Sequence, residues 1–258
     1  MSKRITGMMA GALTVLLLIA PCYAFRENIV GAWLFDEGSG KTVKDYSGNG
    51  NDGEIQGNPE WVDGKFGKAL HFDGKTYVLI PFKESMKVLN ESDFTIAAWF
   101  KSEEIPPPEW VECVFQQGDK NGVGRSWLYI HQASGGGIHS FLGGKEISSD
   151  VTAEEGKWYH AAVVAKEKGN SDEVQIFVDG EAHLDPTVVN LESSEGDYFI
   201  GAHKKPAGFF IGIIDEVVLI NKALSKDEIK ELMTSGVRGV LAVQPKDKLA
   251  LRWGDIKR

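Results

Sequence analysis

The stretch from Phe209 to Ser235, FFIGIIDEVVLINKALSKDEIKELMTS, constrains the fold more than any other part of the chain. It opens as a strand and closes as a helix. Gly212 to Ile220 is too apolar and too rich in β-branched residues for an exposed strand, so it reads as a central one. Two carboxylates, Asp215 and Glu216, interrupt that run. Strand neighbours point to opposite faces, so at most one of the pair is expected to reach solvent. A carboxylate in the middle of an apolar strand is costly unless it is paired, hydrogen-bonded or bound to a metal. Asn221 to Leu224 then turns the chain. Ser225 and Glu228 have the spacing of a capping box, and Ile229, Leu232 and Met233 share one face of the short helix that follows. Gly236 is placed to stop it.

The rest of the chain reads as short strands separated by turn signals. Ile29 to Asp36 is the first strand. Asp45 to Gly53, DYSGNGNDG, is a dense turn with Gly and Asn where positive φ is needed. Asp73-Gly74-Lys75 and Asp179-Gly180 mark hairpins, the latter being the strongest such signal. Strands are also expected at 93–100, 111–117, 127–131, 138–142, 157–165 and 173–178. Pro106 to Pro108 makes a stiff loop that no strand could contain. About a dozen strands at this spacing, with one terminal helix, no internal repeat and no linker, give an all-β, antiparallel two-sheet sandwich.

Three segments resemble one family. GxIDEVxLxNxALSxxEIxxL near the end, WxFDEGSG…DYSGNGNDG near the start, and KWYHAAVVA…VQIFVDG in the middle are similar to laminin-G-like domains of bacterial type in the concanavalin A-like lectin/glucanase superfamily. The resemblance implies a jelly-roll over residues 25–236, with 237–258 as a C-terminal tail. It implies the function only by analogy, because this fold hosts lectins, adhesion modules and glycosidases.

Residues 1–24 read as a signal peptide: Lys3 and Arg4, an apolar run from Met8 to Ala20, and a cleavage site after Ala24. The run is short for a bilayer span. An uncleaved anchor is the alternative, and Pro21 fits a lipoprotein reading at Cys22 poorly. Secreted, extracellular or periplasmic location follows, with no membrane insertion after cleavage. Loss of Lys3 and Arg4 takes the formal charge from −9 to −11. That balance argues against nucleic acid and leaves carboxylates for divalent cations. Cys113, the one cysteine beyond the leader, lies in a strand-like run and reads as a buried thiol.

No catalytic set is visible. Glycosidases of this superfamily carry a Glu-x-Asp-x-x-Glu strand, and retaining enzymes need two carboxylates about 5 Å apart. The nearest match, Glu195-Gly196-Asp197, has Ile200 where the second glutamate is required. The six histidines are scattered and read as ordinary strand or loop residues. The protein is therefore expected not to be an enzyme.

Calcium is the expected cofactor. In the relatives an ion links the opening segment to the last strand, which implies Asp215 as a side-chain ligand with Asp36 and Asp45 as neighbours. Capping of backbone amides is the alternative for all three. For a glycan or a cell-surface protein partner, Trp127, Tyr129 and His131 share one face of a strand beside a glycine-rich turn, and Trp110 lies on the proline loop. Aromatic faces with polar neighbours suit sugar rings. If the same face meets the second sheet, these side chains are core instead.

Overall fold

The computed structural model describes residues 25–87, 93–105, 111–118, 125–131, 135–191, 195–203 and 208–242, with Val111 and residues 125–127 as strand backbone only. The proposed leader, Trp110 and residues 243–258 lie outside the described residues, as does the side chain of Trp127.

In chain order the strands are β1 (Ile29–Trp33), β2 (Thr42–Val43), β3 (Gly53–Gln56), β4 (Glu60–Asp63), β5 (Lys68–Asp73), β6 (Tyr77–Ile80), β7 (Phe94–Ser102), β8 (Val111–Gln117) and β9 (Arg125–His131). They continue with β10 (Gly137–Leu142), β11 (Lys145–Thr152), β12 (Trp158–Lys168), β13 (Ser171–Val178), β14 (Glu181–Ala182), β15 (Thr187–Val189), β16 (Tyr198–Ile200) and β17 (Ile211–Ile220); the helix α1 spans Lys226–Ala242. The first sheet has the order β14-β13-β12-β7-β17-β5-β4, with β1 also on β17 and β15 also on β13. The second runs β11-β10-β9-β8-β16-β6-β3-β2. All the strand pairings are antiparallel. This is the all-β, two-sheet sandwich with one terminal helix that the turn spacing predicts.

Two apolar layers hold it. Trp33, Phe72, Phe100, Phe115, Tyr198 and Ile214 belong to the layer between the sheets. Ala32, Ala97, Ala162, Val218, Ile220 and the α1 residues Ile229, Leu232, Val237 and Val240 form a second layer, on the outer face of the first sheet. The three alanines leave room for a helix to pack closely. Because β17 is covered on both faces, its apolar run is continuous rather than alternating.

The capping box forms as expected: Ser225 N–H donates to Glu228 Oε2 at 2.9 Å and Glu228 N–H to Ser225 Oγ at 3.4 Å. Gly236 ends the first helical segment, as expected. It adopts φ 66° and ψ 164°, kinks the chain, and a second helical segment runs to Ala242. Val237 and Val240 then return to the outer layer. The segment from Val237 to Ala242, expected to open the tail, thus packs on the first sheet.

Candidate functional site

Two loci carry chemistry. The first is the acidic pair. Along β7 and β17, Asp215 lies opposite Trp99 and Val218 opposite Ala97, so Glu216 and Val217 together face Ala98. This is a β-bulge, and Glu216 takes φ 52° within it. The extra residue resets the alternation. Ile214, Val217 and Leu219 point into the inter-sheet core, and Val218 and Ile220 point outward. Asp215 and Glu216 consequently both face outward, which corrects the opposed orientation expected of strand neighbours.

Outward here means under the loop at residues 64–66 for Asp215 and under the helix kink for Glu216. Asp215 is 0% and Glu216 3% exposed. Asp215 Oδ2 accepts from Phe66 N–H at 3.0 Å, and Glu216 Oε2 accepts from Val237 N–H just past the kink. The second oxygen of each, Asp215 Oδ1 and Glu216 Oε1, is buried without a hydrogen-bond partner. Burial pushes the Asp215 carboxyl up to about 8, the Glu216 charge adding to it; burial pushes Glu216 up to about 7.

The other two carboxylates expected at an ion are engaged elsewhere. Asp45 Oδ1 accepts from the amides of Ala32 and Ser47, and its Oδ2 from the Asn51 amide and the Ser47 hydroxyl. It pins the 45–51 turn to β1. Asp36 Oδ1 accepts from Lys68 N–H, and its Oδ2 faces the Arg238 guanidinium at 2.7 Å. Asp36 and Asp45 make the amide contacts that the capping alternative expects, and Asp215 alone of the three keeps an unengaged oxygen.

The second locus is on the outer face of the second sheet. Leu128 and Ile130 enter the inter-sheet core, so Tyr129 and His131 take the opposite face. They are not packed between the sheets. Tyr129 is 4% exposed because neighbouring rings cover it: His131 and His139 each lie 5.9 Å away, centroid to centroid. His139 is opposite Tyr129 on β10, and Phe141, two residues on, is 40% exposed. Glu146 reaches in from β11, its Oε1 at 2.6 Å from His131 Nδ1 and 3.1 Å from His139 Nδ1. The Tyr129 phenol engages the same carboxylate, and burial drives its pKa upward. Burial holds the His139 imidazole below its usual value.

Of the residues expected to bind a ligand, Tyr129 and His131 are brought together here. His139 and Glu146 were not expected. Strand parity after the Gly135-Gly136-Gly137 turn would place them on this face, but only once the register pairing Gly137 with His131 is known.

A family model described as the concanavalin A-like lectin/glucanases superfamily matches residues 72–230. The chain belongs to the concanavalin A-like lectin/glucanase superfamily. No curated protein matches it by sequence. Among solved structures of this superfamily fold, it is similar to domain 4 of AbnA, an extracellular GH43 arabinanase from Geobacillus stearothermophilus in complex with arabinotriose. Identity there is 19%, with 80% of this chain and 98% of that one covered and a TM-score of 0.59. It is also similar to the binding domain of Paraclostridial Mosquitocidal Protein 1, at 16% identity, 81% and 52% coverage and a TM-score of 0.62. Trypanosoma rangeli sialidase, in complex with a difluoro-KDN, matches at 17% identity, 81% and 32% coverage and a TM-score of 0.62. The chain thus spans about half of the toxin domain and a third of the sialidase. These neighbours share the sandwich fold.

Proposed function

We propose that this domain is a secreted, non-catalytic binding module that recognises glycans through the outer face of β9, β10 and β11. The observation that carries the reading is the grouping of Tyr129, His131, Phe141 and Glu146 on one strand face. The imidazole and carboxylate supply hydrogen-bonding groups, and the exposed Phe141 ring supplies an apolar surface for a sugar C–H face. Tyr129 supports that surface from beneath. Neighbours described with arabinotriose and with a sialic-acid-type inhibitor lend the glycan class further support. The absence of catalysis rests on the acidic pair. Although the bulge turns both carboxylates to one side, the loop at Phe66 covers Asp215 and the helix covers Glu216, which leaves no room for a substrate between them.

The test is a glycan array probed with the purified protein, with and without calcium. Binding to a sugar class that falls in Phe141→Ala and His131→Ala, while the melting temperature holds, supports the module and its site. Absence of binding by folded protein, with pull-down of a cell-surface protein instead, favours the adhesive reading. A structural calcium is a second reading for Asp215 alone, supported by its unpartnered Oδ1. Under that reading chelation lowers the melting temperature.

A further inference from the structure

Three consecutive strands each send one ligand-type side chain to a common point on the outer face of the second sheet. His131 ends β9, His139 lies in β10 and Glu146 in β11. Both Nδ1 atoms approach the same Glu146 oxygen, and the ligand atoms of all three residues fall within 4.8 Å of one another. We propose that His131, His139 and Glu146 form a binding site for a divalent transition-metal ion, best suited to zinc.

The donor chemistry points away from calcium. Hard cations take oxygen ligands, whereas two imidazoles and one carboxylate form the three-ligand set of an open zinc site, with a fourth position left for water or a ligand atom. The spacing is also close. Two ligands at 2.0–2.1 Å from a tetrahedral ion lie about 3.3 Å apart. The separations of 2.6 and 3.1 Å need only small side-chain rotations to reach that value. The two imidazole planes cross at 87°, with centroids 5.6 Å apart, so the rings converge on one point instead of stacking.

The scaffold holds this arrangement. β10 is paired on both sides, and the residue directly opposite His131 is Gly137, which puts no side chain between His131 and its partners. The buried Tyr129 phenol engages the Glu146 carboxylate, the kind of outer contact that orients a metal ligand. Bound metal would replace the hydrogen bond between His131 and Glu146. This site goes beyond the glycan reading and does not depend on it.

The experiment uses untagged, metal-stripped protein titrated with zinc chloride in competition with a chromophoric chelator, and with cobalt chloride read by visible d–d absorption. Zinc should bind at one equivalent and should quench the cobalt spectrum. Tyr129→Phe should weaken binding about 10-fold, as for loss of an outer-sphere partner. His131→Ala and Glu146→Gln should weaken it further; both side chains are partly exposed, so the fold should survive, as a melting curve would confirm. Folded protein that neither competes for zinc nor develops cobalt absorption would overturn the proposal. So would undiminished binding in both His131→Ala and Glu146→Gln.

Discussion

Asp215→Asn isolates the energetics of the buried acidic pair. In the folded protein the Asp215 carboxyl ionises near 8 rather than 3.8. The folded state therefore keeps a proton that the unfolded chain has released, and stability must fall as the pH climbs from about 4 through 8. Each unit of separation is worth 1.36 kcal/mol, so between pH 5 and pH 8 Asp215 alone removes at most about 3–4 kcal/mol. For a domain of this size that corresponds to roughly 6–15 °C in melting temperature. Asparagine keeps an acceptor for the Phe66 amide but cannot ionise. Glu216 titrates in both proteins, so its contribution largely cancels in the difference. The assay is thermal unfolding of wild type and Asp215→Asn at several pH values between 5 and 8, in the presence of a chelator. The variant should match or exceed wild type at pH 5, and its advantage should grow steadily to pH 8. If the variant is instead less stable, and increasingly so at high pH, the carboxylate is ionised and compensated in the fold. The burial argument then fails, and an ion at Asp215 becomes the better account.

The remaining predictions concern how the helix is held. Ser225→Ala removes the N-cap and should cost about 1 kcal/mol, read as a lower midpoint in denaturant unfolding with an unchanged slope. Leu232→Ala empties a site in the outer layer and should cost about 2–4 kcal/mol by the same assay. At Gly236 a Cβ would lie 3.1 Å from Glu216 Oε2 and 3.2 Å from the Phe66 ring, on a backbone at φ 66°. Gly236→Ala should therefore destabilise by at least about 1 kcal/mol, and because it disturbs the Val237–Glu216 contact it should also alter the pH slope that Asp215→Asn reports.

Much of the fold was legible because its signals are local. The Asp179-Gly180 turn, where both residues take positive φ, is announced by two adjacent residues, and the capping box by two residues three apart. What was not legible depends on pairing. The bulge at Glu216 carries no glycine to announce it, and a rule of strict alternation sends Asp215 and Glu216 to opposite faces. Only the register of β17 against β7 reveals the extra residue. The same holds for His139 and Glu146, which join Tyr129 and His131 only through the β9-β10-β11 register. Gly236 stops the first helical segment as read, but the second segment beyond it was not legible. A glycine at positive φ is the usual stop for a helix, yet Val237 and Val240 resume the apolar pattern beyond it and draw the chain back onto the sheet. Asp36 and Asp45 accept amide hydrogens as turn capping expects, but the composition of such a turn is the same as that of a cation loop.

Phe25, the first described residue, and Val240, near the last, are both buried in the outer layer on the first sheet. The two ends of the folded unit therefore leave from one side of the sandwich, while Tyr129, His131 and Glu146 occupy the other. Anything fused or anchored at either end would carry the domain with that face turned away from the attachment, in the orientation needed to display it. Attachment at Phe25 or Ala242 should leave the strand face of β9 to β11 free for capture.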